Sequence, residues 1–262
     1  MVRVVTMGIL VKLGMTELIY EHPLNEKVRT YLRVEYLFTQ LNTQLALANE
    51  SQQLGFFTSL FALIEVLDRN DIRPDLIKDV ERCESALVNW SRHPSVSDDN
   101  LQTMLQQAVR LQSELIRGAK FANVLKEDKF LGPLRQRFFI PGGTCYFDLP
   151  QLQFWYTQAL DVRQKAAQDW ISQLQLVEKA ISFVLTFIRE RGQFNPIQAD
   201  NGYYQSNTEQ FELLRLRYPL HYGCYPTISG NKYRYAIRFM QLCDTQGRAT
   251  TAQSIQFELA CC

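Results

Sequence analysis

The chain has 262 residues and a formal net charge of +1 at pH 7, with 46 % hydrophobic and 12 % aromatic residues. This composition is typical of a folded globular protein and excludes an intrinsically disordered chain. A net charge near zero argues against binding to nucleic acid or to a membrane through bulk electrostatics, although a local charged patch is compatible with it. The length is sufficient for one large domain or two small ones.

The start of the chain resembles a signal peptide only weakly, because Lys12 interrupts the apolar stretch and no small-residue cleavage site follows it. We expect translation to begin at Met15, so that residues 1–14 are a non-native or disordered extension. The longest uncharged apolar run, Ala180–Ile188, is far shorter than the roughly 20 residues that a membrane span requires. We therefore expect no membrane partner.

The six cysteines and three histidines show no spacing that is typical of a zinc site, and no two cysteines form a Cys-x-x-Cys pair. We expect reduced thiols in a cytoplasmic protein and no cofactor. A zinc site built from distant residues is the alternative. The sequence does not show whether Cys261 and Cys262 do more than end a strand.

The first 130 residues show the periodicity of a helical bundle with short connections. Apolar residues recur at helical steps from Asn25 to about Ala48, and Asn25 is a suitable N-cap. The segment Leu54–Leu67 is apolar on most sides, which indicates either a buried core helix or a surface for dimer contact. Further helices are predicted from Pro74 to about Trp90 and from Asn100 to Ile116.

After Lys129 the predicted elements change. Pro141, Gly142 and Gly143 separate two aromatic stretches, which is typical of a β-hairpin. A long helix is predicted from about Val162 to Arg191, and short strands separated by turn residues follow it.

The order of these elements predicts an α+β fold, in which a helical bundle and a smaller antiparallel β-sheet domain are linked by the long helix. We assign residues 15–130 and 162–191 to the helical domain. Residues 131–161 and 192–262 are assigned to the β domain.

No motif of a known active site is present, such as a phosphate-binding glycine loop, Gly-x-Ser-x-Gly or His-Glu-x-x-His. Asp148 and His221 could be combined with a serine into a triad, but their spacing does not support one. We therefore predict that the protein is not an enzyme and has no catalytic residues.

Positive charges instead alternate with apolar residues near the carboxyl end, in the segment KYRYAIRFM. Successive side chains of a strand point to opposite faces, so Lys232, Arg234 and Arg238 share one face. The opposite face is predicted to be a core face and consists of Tyr233, Tyr235, Ile237 and Phe239.

A second segment, FELLRLRYPL, places Arg215 and Arg217 between leucines in the same way. If the two strands pair, the cations form one patch, whose mutual repulsion suggests an acidic partner. The alternative is an ordinary solvated face on which the arginines pair with acids of their own chain. The pattern alone does not decide between the two.

Two smaller basic clusters could extend such a patch. Arg29 and Arg33 are four residues apart and share a helix face, with Glu26 one turn earlier; a solvated helix face is the alternative reading. Lys129 lies at the change from helix to strand, in a cluster with Lys126, Arg135 and Arg137.

Arginine presents forked donors that suit carboxylate or phosphate. The basic face could therefore bind nucleic acid, although no known nucleic-acid-binding motif is present, or an acidic peptide that also carries apolar residues.

Four stretches resemble the ZapD (YacF) family of bacterial cell division proteins. They are EHPLNEKVRTYLRVE (21–35), RQRFFIPGGTCYFDLPQL (135–152), ISGNKYRYAIRFM (228–240) and FELACC (257–262). They are spread over nearly the whole chain from Met15, and together they are highly specific.

The resemblance implies a cytoplasmic, non-enzymatic homodimer that acts in division septum assembly at the mid-cell ring. The family binds the C-terminal tail of FtsZ, bundles FtsZ protofilaments, enhances Z-ring assembly and lowers the GTPase activity of FtsZ. Arg234, Arg238 and Lys232 lie in one shared motif and Arg29 and Arg33 in another. Lys129 lies shortly before the third motif, which begins at Arg135, whereas Arg215 is proposed from the strand pattern. A nucleic-acid-binding module that uses the basic face remains the alternative function.

Overall fold

A computed structural model describes residues 17–91, 98–118, 120–207, 209, 211–231, 233–244 and 247–262. The proposed extension at residues 1–14 and the candidate Lys232 lie outside the described residues. The fold is α+β, as predicted. The chain divides into two compact units, which we call the β unit (described residues up to Leu32, with Leu185–Cys262) and the helical unit (Arg33–Val184).

Two of the helices begin at asparagine caps. The Asn25 side chain accepts a hydrogen bond from the Val28 backbone N–H at 2.8 Å, as predicted, and Asn49 does the same for Gln52 at 2.9 Å. The helices of the described residues are α1 (Glu26–Gln44), α2 (Glu50–Arg69), α3 (Arg73–Trp90), α4 (Asp98–Arg117), α5 (Asn123–Lys126), α6 (Leu131–Phe138), α7 (Pro150–Tyr156), α8 (Leu160–Ser172) and α9 (Gln175–Arg191).

An aromatic cluster around α2 forms the core of the helical unit. Phe57 lies at its centre, with its ring centroid 6.0 Å from that of Phe61 and 5.2 Å from that of Trp155. The Trp170 ring stacks on Phe130 at 5.7 Å. Apart from Leu54, which is exposed, the segment 54–67 buries its phenylalanines and leucines, so the buried core helix is the one of the two open readings that the structure supports.

The predicted hairpin around Pro141–Gly143 is also wrong. Helices α6 and α7 occupy this region, with a series of turns between them. Leu131 and Leu134, one helical turn apart, are both buried, whereas Phe139 and Phe147 are exposed. Phe138 packs against Phe57 and Phe61, and the helical spacing of the buried leucines decides the structure. Residues 131–161 accordingly do not belong to a β domain.

The predicted long helix is interrupted. Helices α8 and α9 are bent by 59° at a break after Ser172. The Leu174 N–H donates to the carbonyl of Ile171 at 2.9 Å, a tighter three-residue step that turns the chain. Among the described residues, no single helix is long and apolar enough to cross a membrane. The bent pair passes that test by length and composition only, and the apolar residues of α9 are buried like those of a core helix.

The β unit contains two antiparallel sheets. The strands are β1 (Glu17–Pro23), β2 (Asn195–Ala199), β3 (Tyr203–Asn207), β4 (Leu213–Pro219), β5 (Tyr225–Gly230), β6 (Arg234–Cys243), β7 (Gly247–Thr250) and β8 (Ile255–Cys261). Sheet A has the order β1-β4-β8-β2; sheet B has the order β3-β6-β5, with β7 also paired to β6. Strands β1 and β7 were not predicted, whereas the other strands lie in the segments after residue 192 that the turn residues indicated.

A shared apolar core joins the two sheets. Phe239 of sheet B contacts Tyr218 and Phe257 of sheet A, with ring centroids 5.8 and 5.3 Å apart. The chain passes from one sheet to the other at Asn201–Gly202, where both residues have positive φ. A Cβ on Gly202 would lie 2.6 Å from a Thr251 side-chain carbon, so only glycine fits without a shift. The sheets pack face to face, and each keeps one outer face.

Candidate functional site

The outer face of sheet B carries the predicted row of cations on β6. Arg234 and Arg238 are exposed, while Tyr235, Ile237 and Phe239 between and beyond them are buried. The alternation predicted for this strand is confirmed from Arg234 onward. It fails at Tyr233, which precedes the strand and is 67 % exposed instead of forming part of the core.

A hydrogen-bonded turn fixes the start of this row. The Asn231 side-chain oxygen accepts from the backbone N–H groups of Tyr233 and Arg234, at 2.8 and 3.1 Å. The Asn231 N–H in turn donates to the Arg234 carbonyl at 2.9 Å. These hydrogen bonds, of the Asx-turn type, hold the Arg234 backbone at the edge of the face.

Neighbouring strands support Arg238 from both sides. Tyr203 of β3 and Thr227 of β5 lie directly opposite it in register. The guanidinium carbon of Arg238 is 5.5 Å from the centroid of the Tyr203 ring, within the range of a cation–π contact. Within the described residues, neither Arg234 nor Arg238 forms a salt bridge with a carboxylate. Their charge is available to an external anion.

The remainder of this face mixes apolar and polar groups. Met240 and Leu242 continue the outward row on β6, and Arg248 of β7 lies opposite Leu242. A depression of about 420 Å³ lies over the Arg234 end and is lined by Tyr203 and Ala236 among others. We call the outward side chains of sheet B the sheet B face: Tyr203, Gln205 and Asn207 on β3; Tyr225, Thr227 and Ser229 on β5; Arg234, Ala236, Arg238, Met240 and Leu242 on β6; Arg248 and Thr250 on β7.

Arg215 lies in a different setting, because β4 belongs to sheet A and does not pair with β6. Its Nε donates to Glu21 Oε1 at 2.9 Å, and Glu21 also accepts from Arg189 Nε and Nη2 at 2.8 and 2.7 Å. All three side chains are about one-fifth exposed, at 19–20 %. The two strands do not pair, so the single patch that their pairing would give does not form, and Arg215 is paired with Glu21, which it shares with Arg189.

Arg217 is also paired with an acid of its own chain. Its Nη1 lies 2.6 Å from Glu258 Oε2, and these residues face each other in the register of β4 and β8. Its guanidinium carbon also lies 4.1 Å from the centroid of the Phe194 ring. The open alternative of internally paired arginines therefore holds for sheet A but not for sheet B.

The other described candidate cations lie in their own settings. Arg29 in the β unit pairs with Glu26 through a 3.0 Å contact, while Arg33 is exposed on the same helix, α1. Lys129 is exposed in the helical unit. Its predicted neighbours are engaged with acids: Lys126 with Asp68, Arg135 with Glu65 and Arg137 with Asp148. Within the β unit, the structure brings Arg234 and Arg238 together on one face and places Arg215 on the other sheet.

The members of the sheet B face outside the segment KYRYAIRFM were not predicted. Leu242 lies on β6 beyond the end of that segment, and Arg248 lies on β7, a strand that was not predicted. One more step along the same strand would have placed Leu242 outward. Tyr203 required knowledge that β3 pairs with β6, and such long-range pairing is not encoded in a local pattern.

The strongest pKa shifts occur in the core rather than on this face. Burial raises the pKa of Tyr218 to about 12 and raises the pKa of Tyr235 further. Burial also raises the pKa of the Cys261 thiol, which disfavours a reactive thiolate. Among the residues that the structure describes, no three His, Cys, Asp or Glu side chains are grouped to hold a metal ion.

Comparison with known proteins gives the family. The sequence model of the ZapD cell division protein family matches residues 32–238, which include Arg234 and Arg238. Cell division protein ZapD of Pectobacterium carotovorum is 40 % identical over 245 residues, covering 94 % of this chain and 97 % of that protein. The ZapD of Vibrio atlanticus is 41 % identical over 243 residues, covering 93 % and 98 %. This chain therefore belongs to the ZapD family of cell division proteins.

Proposed function

We propose that this protein binds the C-terminal tail of FtsZ through the sheet B face and cross-links FtsZ protofilaments. Family membership supports a role in division. The observation that carries the proposed site is that Arg234 and Arg238 are exposed together on one face without an acidic partner in the described chain.

The chemistry of the face suits an acidic peptide. Guanidinium groups bind carboxylates through two parallel N–H···O bonds. They are also more weakly hydrated than an ammonium group, which lowers the cost of desolvation on binding. Tyr203, Met240 and Leu242 on the same face offer apolar contact area. A nucleic-acid backbone would make less use of this area, which favours the peptide over the nucleic-acid alternative.

We rank the candidate residues by their setting. Arg234 and Arg238 come first. Lys232, Arg33, Lys129 and Arg29 are secondary candidates that could add long-range attraction, Arg29 being the weakest because of its contact with Glu26. We exclude Arg215 from the proposed surface because Glu21 already neutralises it.

Bundling follows from valency. A single weak tail site would only decorate a filament, whereas two sites on a homodimer can join two filaments. Many tails on each filament raise the effective concentration, so avidity can exceed single-site affinity by roughly 10²- to 10⁴-fold. We propose that this cross-linking acts in the cytoplasm at the mid-cell ring. Bundling would slow subunit turnover and so lower FtsZ GTPase activity without a contact at the nucleotide.

Co-pelleting with polymerised FtsZ tests this proposal. The variant Arg234→Glu with Arg238→Glu should reduce bundled FtsZ in the pellet to the level without the protein, because both proposed carboxylate contacts become repulsive. The matched control is Arg110→Glu with Lys165→Glu, which makes the same change in net charge at two exposed helical positions. We expect this control to bundle like wild type.

FtsZ that lacks its C-terminal tail should not be bundled by the wild-type protein. Bundling of tail-less FtsZ would remove the tail from the mechanism. Full bundling by the Arg234 and Arg238 double variant would remove the sheet B face from it.

A further inference from the structure

We propose that Leu242, together with Met240, is an apolar anchor that gives the sheet B face its specificity. The bound segment would lie extended along β6, with acidic side chains at the Arg234 end and a large apolar side chain at the Leu242 end. This inference rests on the proposed function and adds to it the chemistry of the partner segment.

The exposure of Leu242 is the first observation. Its side chain is 83 % exposed, at the end of a strand whose inward residues are buried as far as Phe239 and half-buried at Gln241 and Cys243. Isolated exposed leucines are common on protein surfaces. Leu242 is different because Met240 lies on the same row and the same face, directly next to the unpaired Arg238. The apolar groups therefore continue the cationic row instead of standing apart from it.

The order of groups along β6 is the second observation. Outward positions read Arg234, Ala236, Arg238, Met240 and Leu242, so charge lies at one end and apolar area at the other. Strand geometry places Arg238 and Leu242 roughly 14 Å apart at the backbone, and the whole row is roughly 27 Å long. An extended segment has the same repeat, so it could place a carboxylate and an apolar side chain about four residues apart on these two positions.

The surroundings of Leu242 favour a peptide over a purely ionic ligand. Arg248 lies opposite Leu242, and Thr250 lies opposite Met240, so the apolar end is bordered by a cation and a hydroxyl group. An apolar contact bordered by polar groups is the usual arrangement of a small protein-binding hot spot. Arg248 adds a positive charge beside the apolar end, and Leu242 selects for an apolar residue there.

The test measures binding of a synthetic FtsZ tail peptide to the full chain at several salt concentrations. Leu242→Ser should weaken binding by about 5- to 20-fold, as expected for partial loss of a buried leucine contact. The slope of log affinity against log salt should stay unchanged, because no charge is altered. Ile19→Ser is the matched control, since Ile19 is an exposed aliphatic residue in a strand of the other sheet. It should bind like wild type.

A double-mutant cycle locates the contact. Each large apolar residue of the peptide is replaced in turn by serine, and one replacement should show no further loss when combined with Leu242→Ser. Wild-type affinity of Leu242→Ser, or additive losses for every peptide residue, would overturn this inference and leave the proposed function intact. A wild-type protein that does not bind the peptide would overturn both. A change in sedimentation of Leu242→Ser would show that a second copy covers Leu242, which would also overturn it.

Discussion

The outer faces of sheet A and sheet B begin from the same sequence pattern and end with opposite electrostatics. On sheet A, Arg215 and Arg217 lie opposite Glu21 and Glu258 and are neutralised by them. On sheet B, Arg234 and Arg238 lie opposite Asn207, Tyr203 and Thr227, none of which is charged. Alternation tells which way an arginine points, but the residue across the ladder decides whether its charge is free.

This difference separates a structural role from a binding role. The sheet A arginines lie in a network that also contains Arg189 of α9, so their removal should lower the free energy of unfolding. The sheet B arginines should contribute little to stability, and their removal should weaken binding. Substitutions on each sheet test this difference, and they follow in order from the largest expected change in stability to the smallest.

Glu21→Gln should lower the free energy of unfolding by about 2–4 kcal/mol, because it leaves Arg189 and Arg215 without their shared carboxylate. The loss is smaller than for a fully buried pair, since these side chains keep about one-fifth of their exposure. Denaturant unfolding followed by circular dichroism measures it. The control Glu258→Gln should cost about 1 kcal/mol or less, because the Arg217–Glu258 pair is 35 % and 41 % exposed. Equal losses in both variants would contradict the network.

Arg234→Ala combined with Arg238→Ala should change the free energy of unfolding by less than about 0.5 kcal/mol, as is usual for exposed residues without fixed partners. The same denaturant experiment measures it. A loss of several kcal/mol would show that these arginines have a structural role, and the contrast between the two faces would then disappear.

The smallest expected change in stability is a dependence on pH that comes from His22 in sheet A. Burial, assisted by the charge of Arg29, lowers the pKa of His22 below its ordinary value of 6.5. The unfolded chain therefore binds a proton more readily than the folded one, so stability is full above pH 6.5 and falls as the pH drops below that value. His22→Gln should flatten this part of the curve of unfolding free energy against pH. An unchanged curve would contradict the shift.

The sequence predicted well where a local rule decides the structure. The strand over 234–240, the N-cap at Asn25 and the turns between the late strands all follow from alternation, capping or glycine placement. Such rules act over a few residues and need no knowledge of the rest of the chain.

Prediction failed where contacts between distant segments decide. Phe139 and Phe147 suggested strands, but the buried leucines of α6 and the aromatic core around Phe57 favour helices there. The pairing of β4 with β1 and β8, instead of with β6, likewise depends on the whole sheet. The shared outward face of Arg234 and Arg238 could therefore be predicted from the sequence. The pairing of Arg215 with Glu21 could not, because the two residues lie 194 positions apart in the sequence.

The central claim is that free cations on the sheet B face bind the FtsZ tail, and its most direct test is the affinity of a tail peptide for three proteins. Wild type and the variant Arg110→Glu with Lys165→Glu should bind with the same affinity within about 2-fold. The variant Arg234→Glu with Arg238→Glu should bind at least about 30-fold more weakly, with a flatter dependence on salt. Equal affinity of all three proteins would contradict the account.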